Sequence, residues 1–251
     1  KPQGRRFPKI TFCTRTEELD LMARKVGKLV FRGGPRSLEQ DIYEYAEKIG
    51  VRFEFNAAKT EKDVNIVATG PRRCDALAVG AVFENTSFDR DRMLVMFNDK
   101  YSPKGCYLYV MSTSDDRVEI INCALAPYAP DVRKLLLKAI EEKKFLREIA
   151  DGKEPVGYFS CTVNFDIPKS AVRDNRIYVG EAAGFQDASV GTGMRYALES
   201  GKMAAEAIAY QRDYDSMWKQ AFLPTLRASF ARRFALSTFG DRAVDFLLDI
   251  L

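Results

Sequence analysis

The fold is decided by the stretch RIYVGEAAGFQDASVGTGMRYALESGKMAA, residues 176–205. Its opening residues are typical of a short β-strand, its centre is rich in glycine, and the spacing after Met194 predicts a long helix. A glycine-rich loop allows the backbone to approach a flat ligand closely, and a helix N-terminus directs N–H groups towards negative charge. The stretch therefore predicts a strand–loop–helix unit that binds a ligand.

Composition narrows the class of protein. The 251 residues are 46% hydrophobic and 29% charged, which is typical of a globular protein with one large or two small domains. The net charge is +4, and lysines and arginines alternate with acidic residues instead of forming a basic tract. The sequence therefore gives no indication of nucleic-acid binding.

The sequence contains no histidine, which is the commonest general base and metal ligand. Serine-hydrolase triads and zinc chemistry are therefore disfavoured, and no metal site is predicted. The five cysteines show no CxxC spacing, and their odd number argues against a complete disulfide framework. No apolar run approaches the roughly 20 residues of a membrane span, and we expect a cytoplasmic protein.

The first part of the chain predicts one helix and two strands. Ser37 and Gln40 have the spacing of a capping box, and the helix that follows should end at Gly50. Strands are expected over 51–55, where apolar and polar residues alternate, and over 64–70.

The sequence pattern changes in the middle of the chain, from about residue 75. Four short β-like runs between residues 75 and 125 are separated by polar turns, which predicts an antiparallel sheet. An amphipathic helix is expected after Pro130. The later elements should be strands over 156–165 and 177–179, then helices from Gly193 onward with breaks near Asp213 and Gly240.

In order and spacing, residues 176–205 resemble the second flavin-binding motif of FAD-dependent oxidoreductases of the p-hydroxybenzoate hydroxylase superfamily. Those proteins carry a strand ending in Gly-Asp-Ala-Ala-Gly, a Gly-x-Gly turn and a helix with Ala-Leu-x-Ser-Gly-x-x-Ala-Ala. This chain matches nearly all of that run, with Glu181 in place of the family's aspartate.

The resemblance implies an α/β fold, α+β overall. A partial Rossmann-like FAD-binding domain would be interrupted by an antiparallel-sheet substrate domain and followed by C-terminal helices. Residues 1–74 and 155–212 would form the FAD-binding domain, residues 75–154 the substrate domain with its helix, and residues 213–251 the C-terminal helices.

Within the superfamily, the chain is most similar to the geranylgeranyl reductase family. Lys1-Pro-Gln-Gly4 resembles the family's Lys-Pro-Cys-Gly, with Gln3 at the place of the cysteine. Further matches follow in the family's order, at residues 31–42, 66–73, 102–111 and 214–218. Only the match at 176–205 is specific by itself.

The first flavin motif of the family, GxGxxG after a strand, does not occur in this sequence. In the family it precedes the Lys-Pro-Cys-Gly region, which is where this chain starts. Two explanations are open: an N-terminal βαβ segment is missing from the sequence, or the protein has naturally lost FAD.

The resemblance implies a set of cofactor-binding residues. They are Gly180, Glu181, Val190, Gly191, Thr192, Gly193, Met194, Arg32 and Arg36. Backbone N–H groups of the Gly191–Gly193 turn would face the flavin pyrimidine ring, and Glu181 would bind the ribityl hydroxyls. A bulky residue at Gly193 would fill the space of the ring or require a positive φ. A ligand-free turn, an exposed carboxylate and ordinary surface arginines are the alternatives.

Tyr107, Tyr109 and Met111 alternate along one strand and so share one face. In the reductases the corresponding residues line the cavity where an isoprenoid chain meets the flavin. Ordinary sheet core is the alternative.

The C-terminal segment has an amphipathic pattern in which arginines alternate with apolar residues. Phe222, Leu226, Phe230 and Phe234 recur every fourth residue, and Arg227, Arg232, Arg233 and Arg242 lie between and after them. The pattern suits peripheral contact with an anionic membrane or the roof of a lipid tunnel. Burial against the protein's own core is the default expectation.

The implied activity is transfer of a hydride from reduced FAD to double bonds of an isoprenoid, geranylgeranyl-type lipid. NAD(P)H or ferredoxin would supply the electrons, and no catalytic residue is assigned. The alternatives are an FAD-dependent monooxygenase of the same fold and an FAD-free relative that binds lipid or a partner.

Overall fold

The computed structural model describes residues 4–6, 9–14, 18–22, 28–30, 37–114 and 116–248. Arg32 and Arg36, two of the candidate cofactor-binding residues, lie outside these ranges, as does the Lys1–Gln3 segment. No helix in the described ranges is long and apolar enough to cross a membrane.

The described residues form twelve strands and seven α-helices. The strands are β1 (Gly4–Arg6), β2 (Lys9–Cys13), β3 (Glu18–Met22), β4 (Lys28–Val30), β5 (Ile66–Val67), β6 (Ala76–Glu84), β7 (Arg92–Met96), β8 (Leu108–Ser112), β9 (Arg117–Leu125), β10 (Gly157–Val163), β11 (Val172–Arg173) and β12 (Arg176–Tyr178). The helices are α1 (Leu38–Lys48), α2 (Val132–Glu142), α3 (Lys144–Ala150), α4 (Gly180–Ala183), α5 (Met194–Tyr210), α6 (Tyr214–Phe239) and α7 (Asp241–Leu248).

A seven-stranded sheet dominates the fold, in the order β10-β6-β9-β8-β7-β2-β3. Every neighbouring pair is antiparallel except β2 and β7, which run parallel. The antiparallel sheet predicted between residues 75 and 125 is confirmed, since it supplies the four central strands β6 to β9. Strands β2, β3 and β10 extend this sheet from segments assigned to the FAD-binding domain, and the division into domains stays a prediction.

The two faces of this sheet carry different side chains because residues alternate along each strand. Leu108 and Val110 of β8 point to a buried core that α2 and α3 cover with Leu136 and Leu146. The predicted helix after Pro130 is confirmed, but it breaks at Lys143, which has extended backbone angles. The opposite face of the sheet forms one wall of the candidate site described below.

A second, three-stranded sheet has the order β11-β12-β5, with β12 and β5 parallel. Helices α4, α5 and α6 pack against it, and Trp218 lies at the centre of their core, in contact with Phe185. The Asp215 carboxylate holds α6 to this sheet, since its Oδ1 accepts hydrogen bonds from Ala171 N at 2.8 Å and Trp218 Nε1 at 2.7 Å. This sheet and its helices position the 176–205 stretch.

Helix α1 begins as predicted, since Ser37 Oγ accepts a hydrogen bond from Gln40 N at 3.2 Å. The predicted strand over 51–55 is wrong. These residues are exposed and pair with no strand, and the rings of Phe53 and Phe55 pack against Tyr43 of α1 instead. The strand predicted over 64–70 shrinks to β5, only two residues long.

Candidate functional site

A cavity of about 400 Å³ lies between the open face of the large sheet and the loop before α5. Strands β2 and β6 to β10 contribute mainly apolar side chains to its wall, and residues 188–192 of the loop form the opposite side. The cavity therefore joins the predicted substrate wall to the predicted flavin loop.

Tyr107, Tyr109 and Met111 all line this cavity, on the face opposite Leu108 and Val110. The two tyrosine rings are in contact, with centroids 5.9 Å apart. Burial raises the pKa of both phenols well above the usual value. The period-two pattern correctly predicted that these three side chains share one face of the sheet.

Small residues on β6 make the space in the cavity. Ala76 and Ala78 line it, and Ala78 is paired with Cys123 on one side and Cys161 on the other. Gly80 continues the same row, and the Phe159 ring lies directly over it, where a Cβ on Gly80 would overlap the ring. Ala76 and Ala78 therefore leave room in the cavity that larger residues would fill.

The loop before α5 is held by its own polar side chains. Asp187 Oδ1 accepts hydrogen bonds from Ser189 N at 2.9 Å and Val190 N at 3.1 Å, and Gln186 Nε2 donates to Gly191 O at 2.8 Å. Gly191 has a φ of +65°, and no atom lies within 4 Å of the position its Cβ would take. Its backbone thus faces open space at the cavity edge.

The backbone conformation of Gly193 differs from the one expected. Its φ is −126°, so the prediction that a side chain there would require a positive φ is wrong. Its missing Cβ makes room for a protein side chain, because a Cβ would lie 2.6 Å from Gln186 Oε1. Gly193 is the N-cap of α5 and makes no side-chain cap, so the first N–H groups of the helix rely on other partners. The first helical residue, Met194, is partly exposed.

Gly180 and Glu181 lie further from the cavity, in α4, and neither lines it. Gly180 has a φ of +54°, and a Cβ there would come within 3.2 Å of Ala197, so its lack of a side chain lets α5 approach. Glu181 Oε1 accepts a hydrogen bond from Asn164 N at 2.7 Å. Both residues therefore have structural contacts, and a cofactor role for either stays a prediction.

The cavity also contains side chains that the sequence analysis did not assign to it, among them Arg233, Cys106 and Cys123. Arg233, on α6, is only 8% exposed, in contrast to the surface position that the amphipathic pattern would allow. Phe222 and Leu226 are fully buried in the protein's own core, which confirms the default expectation for that part of the helix. Burial raises the pKa of the Cys106 thiol, although the Arg233 charge opposes this effect, and burial likewise raises that of Cys123.

No protein-family model matches the chain. An uncharacterised protein of Methanocaldococcus jannaschii is 24% identical over 184 residues, an alignment that covers 66% of this chain and 44% of that protein. The chain thus spans less than half the length of this curated relative.

Solved structures resemble this chain over nearly its whole length. A geranylgeranyl bacteriochlorophyll reductase-like protein from Thermoplasma acidophilum superposes with a TM-score of 0.76 at 16% identity, covering 98% of this chain and 75% of that one. PqsL, a probable FAD-dependent monooxygenase from Pseudomonas aeruginosa, gives 0.68 at 14% identity, with 97% and 81% covered. CmlS, a flavin-dependent halogenase, gives 0.66 at 14%, with 94% and 54% covered. The chain therefore has the fold shared by these flavoproteins.

Proposed function

We propose that this chain is the flavin-facing and substrate-enclosing part of an FAD-dependent oxidoreductase that reduces double bonds of an isoprenoid lipid. The observation that carries the proposal is an apolar cavity that joins the loop at 188–192 to the wall formed by Tyr107, Tyr109 and Met111. Similarity in fold to a geranylgeranyl reductase-like protein also supports this proposal.

The loop residues fit a flavin. Gly191 leaves open space beside its backbone, and the N-terminus of α5 lacks a side-chain cap. The N–H groups of Val190 and Gly191 already donate to Asp187. A flat, electron-rich ring edge would therefore meet the N–H groups at the start of α5 and the positive end of this 17-residue helix. When bound, FAD supplies the hydride. Residues 190–194 would hold its pyrimidine side, and Glu181, Arg32 and Arg36 would contact the rest of the cofactor.

The sheet wall suits an apolar, flexible substrate. Aromatic rings and thioethers pack against hydrocarbon chains, and together they exclude water from the reacting carbon atoms. Tyr107 and Tyr109 are neutral, as an ordinary tyrosine is at neutral pH, and burial raises the pKa of both phenols further. The wall would therefore orient the chain against the flavin loop without adding charge.

The experiment begins with the absorption spectrum of the purified full-length protein. Bands of oxidised flavin, followed by anaerobic loss of double bonds from a geranylgeranyl lipid with NAD(P)H or reduced ferredoxin, are the expected result. NAD(P)H oxidation that needs oxygen and yields a hydroxylated product would identify a monooxygenase instead. A protein that lacks flavin after reconstitution with FAD would be a non-catalytic relative that binds lipid or a partner.

The same proposal includes peripheral contact of the protein with a membrane surface. Helix α6 presents Phe234 and Phe239 to the surface, with 73% and 62% of each residue exposed. An apolar substrate would reach the cavity most directly from a membrane, and these rings would contact its surface.

A further inference from the structure

The guanidinium of Arg233 is a buried charge at the edge of an apolar cavity. It is 8% exposed and lines the cavity beside Cys106. Its hydrogen-bond partners in the described part of the chain are neutral: Nη2 donates to the carbonyl oxygens of Lys104 at 2.7 Å and Gly105 at 3.0 Å, and Nε donates to Ser237 Oγ at 3.1 Å. In the described ranges no carboxylate forms an ion pair with it.

Neutral acceptors satisfy N–H groups of Nε and Nη2, but they form no ion pair with the positive charge. A buried charge of this kind is costly unless an opposite charge is supplied. Asp99 lies in this region, but its Oδ1 accepts a hydrogen bond from Gly105 N at 2.9 Å and makes no ion pair with Arg233. The exposed neighbour Arg232 differs, since its Nη2 lies 3.2 Å from Asp187 Oδ2.

The Nη1 atom of the Arg233 guanidinium makes one weak contact. Among the described residues, this atom contacts only the Cys106 sulfur as a hydrogen-bond partner, at 4.0 Å. Nη1 carries two hydrogens and belongs to a side chain of the cavity wall, so it can donate to an oxygen atom inside the cavity.

The backbone around Arg233 is shaped to hold it. Lys104 and Gly105 both have positive φ angles, +60° and +65°, and their carbonyl groups converge on the same nitrogen. A positive φ is uncommon for lysine. The turn also packs tightly on α6, because a Cβ on Gly105 would overlap the Leu236 backbone carbonyl. The guanidinium is therefore fixed in place before any ligand arrives.

From this geometry we propose that Arg233 binds the oxyanion of an acidic amphipathic ligand whose apolar chain occupies the cavity. The ligand would be a long-chain carboxylate or phosphate ester, since both present two oxygens to a guanidinium. The inference rests on the cavity of the proposed function and not on flavin binding. It narrows the substrate to one with an acid group at one end.

The test measures binding of three twelve-carbon probes to the full-length protein, after incubation with FAD, by calorimetry: dodecyl phosphate, dodecanoate and dodecanol. Because a charge-assisted hydrogen bond accounts for the difference, at least one anion should bind roughly 10- to 100-fold more tightly than the alcohol. Which anion shows the advantage distinguishes a phosphate site from a carboxylate site.

Variants connect that difference to Arg233. Arg233→Met should remove the advantage of the anion while dodecanol binding stays unchanged, and Arg233→Lys should retain part of it. Arg227→Met is the matched control, because Arg227 is an exposed arginine on the same helix, and it should change nothing.

Equal binding of acid and alcohol by the unaltered protein would overturn the inference, and so would equal loss of both in Arg233→Met. The first comparison needs no variant and so holds even if Arg233→Met does not fold. The flavin spectrum separates the two proposals. A flavin-containing protein without anion preference would refute only the role of Arg233, and an anion preference without flavin would refute only the proposed function.

Discussion

Tyr107 Oη donates a hydrogen bond of 2.5 Å to the backbone carbonyl of Val190. The two residues are 83 positions apart in the chain. The bond joins the sheet wall of the cavity to the loop before α5, so the spacing across the cavity depends on one phenol.

Removing this bond gives the first prediction. Tyr107→Phe should lower the free energy of unfolding by about 0.5–1.5 kcal/mol, the usual net contribution of one hydrogen bond. It should also reduce flavin retention, because the loop loses its tie to the sheet. Urea unfolding and flavin content measure the two effects. Tyr109→Phe is the control, since the Tyr109 hydroxyl makes no hydrogen bond within the part of the chain that the structure describes. A similar loss in that variant would contradict the prediction.

The second prediction concerns the contact between Gly193 and Gln186. Gly193→Ala should destabilise the loop by roughly 1–3 kcal/mol, because the new Cβ would press on Gln186 Oε1 in a packed environment. In a Gln186→Ala background the same change should cost less, since the obstructing side chain is absent. A double-mutant cycle measured by urea unfolding gives the coupling. Strictly additive effects would show that strain elsewhere dominates.

Tyr109 provides the third prediction, which tests the substrate wall. Tyr109→Ala should weaken transition-state stabilisation for a prenyl substrate by about 1–3 kcal/mol, the range for a buried aromatic anchor. Flavin content should remain intact, because Tyr109 makes no contact with the loop by hydrogen bonding. Steady-state kinetics and the flavin spectrum check both statements. Loss of fold and flavin together would mean that Tyr109 is simply core.

The fourth prediction concerns Cys13 and pH. Burial, together with the nearby Glu18 charge, raises the pKa of this thiol from 9.0 to about 11. The unfolded thiol ionises first, so its contribution to stability is present below pH 9.0 and is lost as pH rises towards about 11. Alkylation by iodoacetamide, followed by peptide mass spectrometry, should show the Cys13 rate still rising above pH 10 or so. A plateau near the ordinary thiol pKa would contradict this prediction.

The sequence predicted the sheet and its cavity face well, because both depend on local alternation. Tyr107 and Tyr109 share a face in any strand. The segment 51–55 alternates equally well and yet forms no strand, because alternation does not provide a partner strand or a core to cover. The hairpin of β2 and β3 escaped prediction altogether.

The site was less predictable where distant contacts decide it. Arg233 has the same helical spacing as exposed arginines, and its burial depends on carbonyl groups 128 and 129 positions earlier in the chain. For Gly193, the motif indicated that a small residue is needed. The structure shows that Gln186 of the same loop occupies the space, which glycine spacing alone does not reveal.

Residues of strand β6 alternate between the hydrophobic core and the cavity. Val79 and Ala81 face the core under α2 and α3, while Ala76 and Ala78 face the cavity. A larger residue at Ala78 would shorten the room for a ligand without touching that core. Preference for chain length can therefore evolve through single substitutions on one side of β6, while the stability of the protein is set independently on the other.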